Sequence, residues 1–153
     1  MRYLKSSRKR KGAALVESAL VLPVLILLIL GIVIVGLGVF RYQQMATLAR
    51  EGARWASVHG AQYAADTGKS AATASDVYNT AILPMAVGLD LKSLSYSVSW
   101  PKGNLPSYAD PNSNPPGQPV GATVVVTVSF NWIPEAYFGG VTLASTSTMP
   151  MQY

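Results

Sequence analysis

Between residues 19 and 40 the chain carries no charge, and apart from Pro23, Gly31, Gly36 and Gly38 every position there is strongly apolar. A bilayer core about 30 Å thick is crossed by roughly 20 apolar helical residues. Inside hydrocarbon each backbone N–H and C=O must be paired within the segment, which a helix achieves alone. The run is therefore long enough to span a membrane. It is preceded by Lys9-Arg10-Lys11-Gly12 and, just before its start, by one acid, Glu17. A basic leader ahead of an apolar span is the positive-inside arrangement. It predicts a single-pass protein of a cytoplasmic membrane, with its N-terminus in the cytoplasm and the rest of the chain outside. The leader should also attract anionic lipid headgroups.

The charge distribution decides what the net +5 means. Arg2, Lys5, Arg8, Lys9, Arg10 and Lys11 hold half of the 12 basic residues, and the remaining basic residues face 7 acids. No later segment concentrates Lys or Arg as a nucleic-acid footprint does, so nucleic acid is not an expected partner. There is no cysteine, which removes disulfides, thiolate chemistry and Cys-based metal sites. At 153 residues there is room for one membrane helix and one small domain.

A secretory signal has an apolar core of 7–15 residues and a small-residue cleavage site behind it. This run is longer, and Gly36-Leu37-Gly38 is a weak site. An ordinary signal anchor accounts for the length but not for Glu17. An intramembrane acid costs about 2.5–3.5 kcal/mol when central and less near an end. At the start of a helix the macrodipole offsets part of that. Two readings remain open on the chemistry: an interfacial residue snorkelling to the headgroups, or a carboxylate placed for a partner.

Basic residues, Gly12, Glu17 as the fifth residue after it, and a long apolar helix resemble a prepilin leader. The segment Gly12-Ala13-Ala14-Leu15-Val16-Glu17-Ser18-Ala19-Leu20-Val21-Leu22-Pro23 is similar to the opening of the TadE-like pseudopilins of the tight-adherence pilus system. Ala49-Arg50-Glu51-Gly52-Ala53-Arg54-Trp55-Ala56 is similar to that family's second, membrane-proximal block. Ser18 departs from the pattern, which there usually carries an aromatic or bulky apolar residue. The resemblance is dense over residues 8–60 and diffuse afterwards. It implies a minor pilin cut by a prepilin peptidase between Gly12 and Ala13, with other pilins and assembly proteins as partners and no cofactor. Cutting there deletes the leader charges and frees the amine of Ala13. Glu17 then lies one turn from a new cation, its own or a neighbour's, and such a buried pair would fix register between helices.

Beyond Phe40 the composition changes. Arg41 ends the span and Tyr42 suits the interface belt. Pro23 reads as a tolerated kink; the later glycines lack GxxxG spacing and specify no dimer. Tyr42, Met45, Ala49, Gly52, Ala53, Ala56 and Tyr63 recur at helical spacing, with Glu51 in reach of Arg54 at i,i+3. The pattern predicts one helix from about residue 13 to 65, of order 75–80 Å long. His59, the single histidine, reads as a surface or capping residue. Ser75-Asp76 offers an N-cap for a second helix through Val77, Tyr78, Ala81, Ile82 and Met85, ending near Gly88, with Pro84 shortening it.

From Ser93 the period becomes two. Leu94, Tyr96, Val98 and Trp100 alternate with serines. A second strand covers about residues 122–132, with Val124, Val126, Val128, Phe130 and Trp132 on one side, and a weaker third covers 142–149. One-sided alternation belongs to an antiparallel sheet with one wet face. Segment 101–119, with six prolines, reads as a loop without regular structure, either a functional tip or mobile. Loop 133–140 carries aromatics that either meet a partner or pack under the sheet.

The sequence has no G-x-S-x-G elbow, Walker loop, dinucleotide fingerprint or H-E-x-x-H. Asp66, Asp76, Asp90, Asp110 and Glu135 are scattered through breaks and turns, so no enzyme is expected; a membrane-tethered hydrolase using one of them is the remote alternative. The expected architecture is α+β: a basic leader (1–12), a transmembrane helix (13–40), and a small extracytoplasmic domain (41–153) in which the continuing helix packs on an antiparallel sheet of about three strands. The rival to a minor pilin is a signal-anchored binding or adhesion module that uses loop 101–119.

Overall fold

The computed structural model describes residues 8–104, 107–110, 118–132 and 140–152. Residues 1–7, the middle of segment 101–119 and nearly all of loop 133–140 fall outside the described residues, and so do the expectations placed on them. The chain divides into two units, one ending at Gly38 and the other comprising Val39–Tyr153. Helix α1, Arg8–Ser57, supplies 50 residues, with Pro23 inside it. In the first unit its large apolar side chains are exposed: Leu15, Leu20 and Leu27 are each about 70% exposed.

The second unit is an α+β head. Strands β1 (Leu94–Ser99), β4 (Thr123–Trp132) and β5 (Val141–Pro150) form an antiparallel sheet in the order β1-β4-β5. Register runs from Leu94 opposite Phe130 to Ser99 opposite Val125, and from Thr123 opposite Pro150 to Trp132 opposite Val141. Period-two alternation sends Val124, Val126, Val128 and Phe130 to one face, all buried. Burying each contributes about 1.5–3 kcal/mol. The other face is hydroxylic, and Thr127 Oγ1 lies 2.9 Å from Thr146 Oγ1 across the β4–β5 ladder.

Helix α1 covers the dry face with Met45, Leu48, Ala49, Gly52, Ala53 and Ala56, an i, i+3, i+4, i+7 stripe. The observed stripe differs from the expected one at both ends. Leu48 is 2% exposed and belongs to it, while Tyr42 is 48% exposed. Tyr63 sits on a separate helix, because α1 stops at Ser57 and α2 runs Ala61–Thr67. The break at residues 58–60 corrects the single helix to residue 65. Its cause is local: Val58 and His59 donate back three residues, to the Trp55 and Ala56 carbonyls, tightening the last turn. Gly60 is extended, and the Ala61 N–H leaves the helix to reach the Asn104 carbonyl at 2.9 Å.

The second predicted helix forms, with a different start. Thr73, rather than Ser75 or Asp76, is the N-cap of α3 (Ala74–Val77). The Asp76 N–H donates to Thr73 Oγ1 and the Thr73 N–H donates to Asp76 Oδ2 at 2.9 Å, a reciprocal capping box. The helix then widens into a π-type stretch, Tyr78–Ile82, and closes with a 3₁₀ turn, Leu83–Met85. Pro84 has no N–H to return to Thr80, and Leu83 donates instead five residues back to Tyr78. The wider turn puts both Val77 and Ile82 fully into the core.

Segment 101–119 is not wholly irregular. Strand β2 (Ser107–Asp110) pairs antiparallel with β3 (Gln118–Gly121), a two-stranded ribbon at its flanks. On β1 the expected dry side is only partly dry. Leu94 is buried, but Tyr96 is 37% exposed, its ring stacked on Tyr78 at 4.3 Å.

Two anchors orient the sheet along the helix. The Gln152 N–H donates to the Ser57 carbonyl, beside the Met151–Ala122 bond, and Gly52 faces Val126. Strand β4 therefore runs back along α1 as it goes from Thr123 to Trp132, and the Phe130–Leu94 end of the sheet lies toward Met45.

Candidate assembly and membrane interface

Gly12 and Ala13 are helical and exposed, and a Cβ added at Gly12 would meet nothing within 4 Å. Glu17 lies four residues on, one helical turn from Ala13, also exposed. Among the described residues it makes no ion pair. Along the same helix the large apolar side chains from Leu15 to Phe40 are mostly half or more exposed. Of the described residues, one helix, Gly12–Ser57, is long and apolar enough to cross a membrane, and none of its most apolar stretch is buried within the fold. Apolar surface on that scale exceeds what a soluble monomer leaves in water; lipid or neighbouring helices are the physical alternatives.

At the end of the apolar run, Arg41 turns to Gln44, Nη1 donating to Oε1 at 2.8 Å, with its guanidinium carbon 6.0 Å from the centre of the Phe40 ring. The second block resolves into two faces. Arg50 and Arg54 are exposed, and Arg54 Nε donates to Glu51 Oε2 at 3.1 Å. Such an exposed pair contributes little to stability. Gly52 and Ala53 point the other way and are buried. The block is thus a seat for the sheet on one side and a solvated charge cluster on the other.

The α1 C-terminus explains His59. The last four carbonyls of a helix have no partner within it. Here Arg54 O accepts from Ser57 Oγ, Trp55 O from the Val58 N–H and from His59 Nδ1, Ala56 O from the His59 N–H, and Ser57 O from the Gln152 N–H. The bond to a carbonyl fixes the proton on Nδ1. The ring also stacks on Trp55 at 3.9 Å and tilts against Tyr63 at 4.7 Å. His59 is therefore a helix cap, and its ring is part of an aromatic ladder. An open groove of about 590 Å³ runs beside it, lined by Lys69, Asp76 and Thr80 among others. The carboxylate of that groove is already engaged: hydrogen bonds from Thr73 hold Asp76 below the usual carboxylate range. Among the described residues no group of His, Asp and Glu could hold a metal ion.

The features define a class: a small α+β head carried on one long helix whose N-terminal part is apolar and exposed enough for a membrane anchor. Residues 12–54 match the family model described as TadE-like protein. The match covers the first block on which the sequence resemblance rests, from Gly12, and the second block as far as Arg54. No curated protein and no solved structure matches the chain.

Proposed function

We propose that the chain is a structural minor pilin of a tight-adherence pilus, a substrate of a prepilin peptidase rather than a catalyst. The observation that carries this reading is the pairing of one exposed carboxylate, Glu17, with an apolar helix whose large side chains from Leu15 to Phe40 are exposed. The basic leader holds the N-terminus in the cytoplasm, and the head lies outside. Cleavage between Gly12 and Ala13 removes the leader charges and creates an ammonium one turn from Glu17. In a bundle of such helices the carboxylate of one meets the amine of another, and the low dielectric of the bundle makes any other axial alignment costly. The apolar flanks then pack against other pilins and lipid. The family match over residues 12–54 supports this assignment.

N-terminal sequencing of the membrane-extracted protein, from cells with an active prepilin peptidase, tests it. The expected mature chain begins at Ala13. An intact Met1, or a start after Gly38, would reduce the protein to a tethered extracytoplasmic domain.

A further inference from the structure

The head's exposed apolar side chains are unevenly placed. Phe40, Tyr42, Val87, Leu91 and Val141 are between 46% and 76% exposed, and the geometry places them at one end. Phe40 and Tyr42 close the apolar run on α1. Met85 lies between the two ends, lining one groove with Phe40, Gln43 and Gln44 and another with Glu51, Arg54 and Val58, and the chain after it leads toward the Phe40 end. Ser93 is fixed to the same end, because its carbonyl accepts the Asn131 N–H at 2.9 Å, one residue beyond Phe130. Val141 pairs with Trp132, the last residue of β4. Val87 and Leu91 belong to the loop strung between Met85 and Ser93.

That loop has a defined shape. The Leu89 N–H donates to the Ala86 carbonyl, Gly88 takes a left-handed turn at φ 73°, and Asp90 accepts from the Lys92 N–H and from Ser93 Oγ. Ala86 is buried and Leu89 packs on the core. Val87, 76% exposed, and Leu91 are thereby presented outward. A loop that turns two large apolar residues to solvent while its own hydrogen bonds hold its shape is suited to an apolar surface.

We propose that this end of the head rests on the membrane, with Val87 and Leu91 inserted at the level of the lipid headgroups and Phe40 and Tyr42 in the aromatic belt beside them. The inference rests on reading residues 19–40 as a membrane span. The occupant is lipid because the patch is continuous with the residues that end the apolar run, Phe40 being shared by both. Aromatic side chains concentrate at that depth, and Arg41 and Lys92 supply cations at the rim, with Asp90 turned into its own loop. Seated this way, the head is held against the bilayer surface by a second contact besides its helix. Extraction of the helix into a filament would have to break that contact.

The chain has no cysteine, so single labels can be placed at will. Full-length Val87→Cys, Leu27→Cys and Val58→Cys, each carrying a nitroxide, are reconstituted in phosphatidylethanolamine–phosphatidylglycerol nanodiscs. Accessibility to oxygen and to a nickel chelate is then compared. Val58, an exposed apolar residue just beyond the C-terminal end of α1 at Ser57, is the aqueous control. The expected oxygen-to-nickel ratio is highest at Leu27 and several-fold higher at Val87 than at Val58. A lipid-like Leu27 with Val87 as aqueous as Val58 overturns the docking and leaves the span standing. Low accessibility of Val87 to both reagents means that a second protein chain covers it, which also overturns the proposal. An aqueous Leu27 removes the span reading itself.

Discussion

Gly52 of helix α1 faces Val126 of strand β4 so closely that a Cβ on the glycine would stand 3.1 Å from Val126 Cγ1 and 3.3 Å from Ile82 Cγ1. Val126 and Ile82 are both fully buried, so neither side chain is free to swing aside. The helix backbone, the central strand and the π-type stretch converge at that residue. This gives a physical reason for glycine in the Arg50-Glu51-Gly52-Ala53-Arg54 block.

Gly52→Ala sets two effects against each other. Alanine gains about 1 kcal/mol of helix propensity, while overpacking a tight core costs about 1–3 kcal/mol. Because both neighbours are immobile, packing wins, and the net loss is about 1 kcal/mol. In detergent-solubilised full-length protein this lowers the Tm by several degrees, and Gly52→Val lowers it further. An unchanged or raised Tm for the alanine variant would show that the sheet yields.

Gln152 supplies a bond that its side chain does not reveal. Its N–H donates at 2.9 Å to the carbonyl of Ser57, which is 3% exposed. Gln152→Pro removes the donor and leaves that carbonyl unpaired, at a cost of about 1–3 kcal/mol. Gln152→Ala keeps the backbone bond and should be near neutral. Chemical denaturation of the two variants side by side separates them, and equal midpoints would dismiss the bond as a support of the helix end.

Helix α1, the β4 alternation and the antiparallel sheet were legible because each is written as periodicity: Val124, Val126, Val128 and Phe130 step by two, and Met45, Ala49, Gly52, Ala53 and Ala56 by three and four. Leu48 fits the same stripe once the stripe is centred on Met45 rather than on Tyr42. What the sequence did not show depends on partners far along the chain. Nothing near Ser57 announces Gln152, and Gly60, although a helix-stop signal, does not announce that Val58 and His59 tighten the last turn before it. The β2–β3 ribbon hides in a proline-rich segment, since short edge strands tolerate Pro119. Thr73 is legible: the spacing Thr73-x-x-Asp76 is a capping box with aspartate at its fourth position, and Ser75 offers a competing cap two residues on.

That box gives a pH dependence. Hydrogen bonds from the Thr73 side chain and N–H lower the Asp76 pKa below its unfolded value. A depressed folded pKa contributes stability that is present above the unfolded pKa and is lost as pH falls through the folded one. Acid titration of stability should therefore show an Asp76 component on the acid side of the ordinary aspartate range. Thr73→Ala removes the cap, costs about 1 kcal/mol near neutrality, and flattens that component. Parallel acid titrations of wild type and Thr73→Ala with the same slope would dismiss the linkage.

Glu17 gives the sharpest test of assembly. It is exposed on α1 and unpaired among the described residues, so its removal costs the isolated fold nothing and should ease membrane insertion. If it serves a neighbour's Ala13 amine, Glu17→Ala leaves the protein in the membrane fraction, cut and folded, but absent from complexes cross-linked with partner pilins. Glu17→Asp keeps the charge on a shorter arm and should restore part of the co-assembly; Glu17→Gln keeps the shape without the charge and should not. The three variants separate an electrostatic role from a steric one. Wild-type co-assembly of Glu17→Ala would leave the carboxylate as an interfacial residue and take away the register argument.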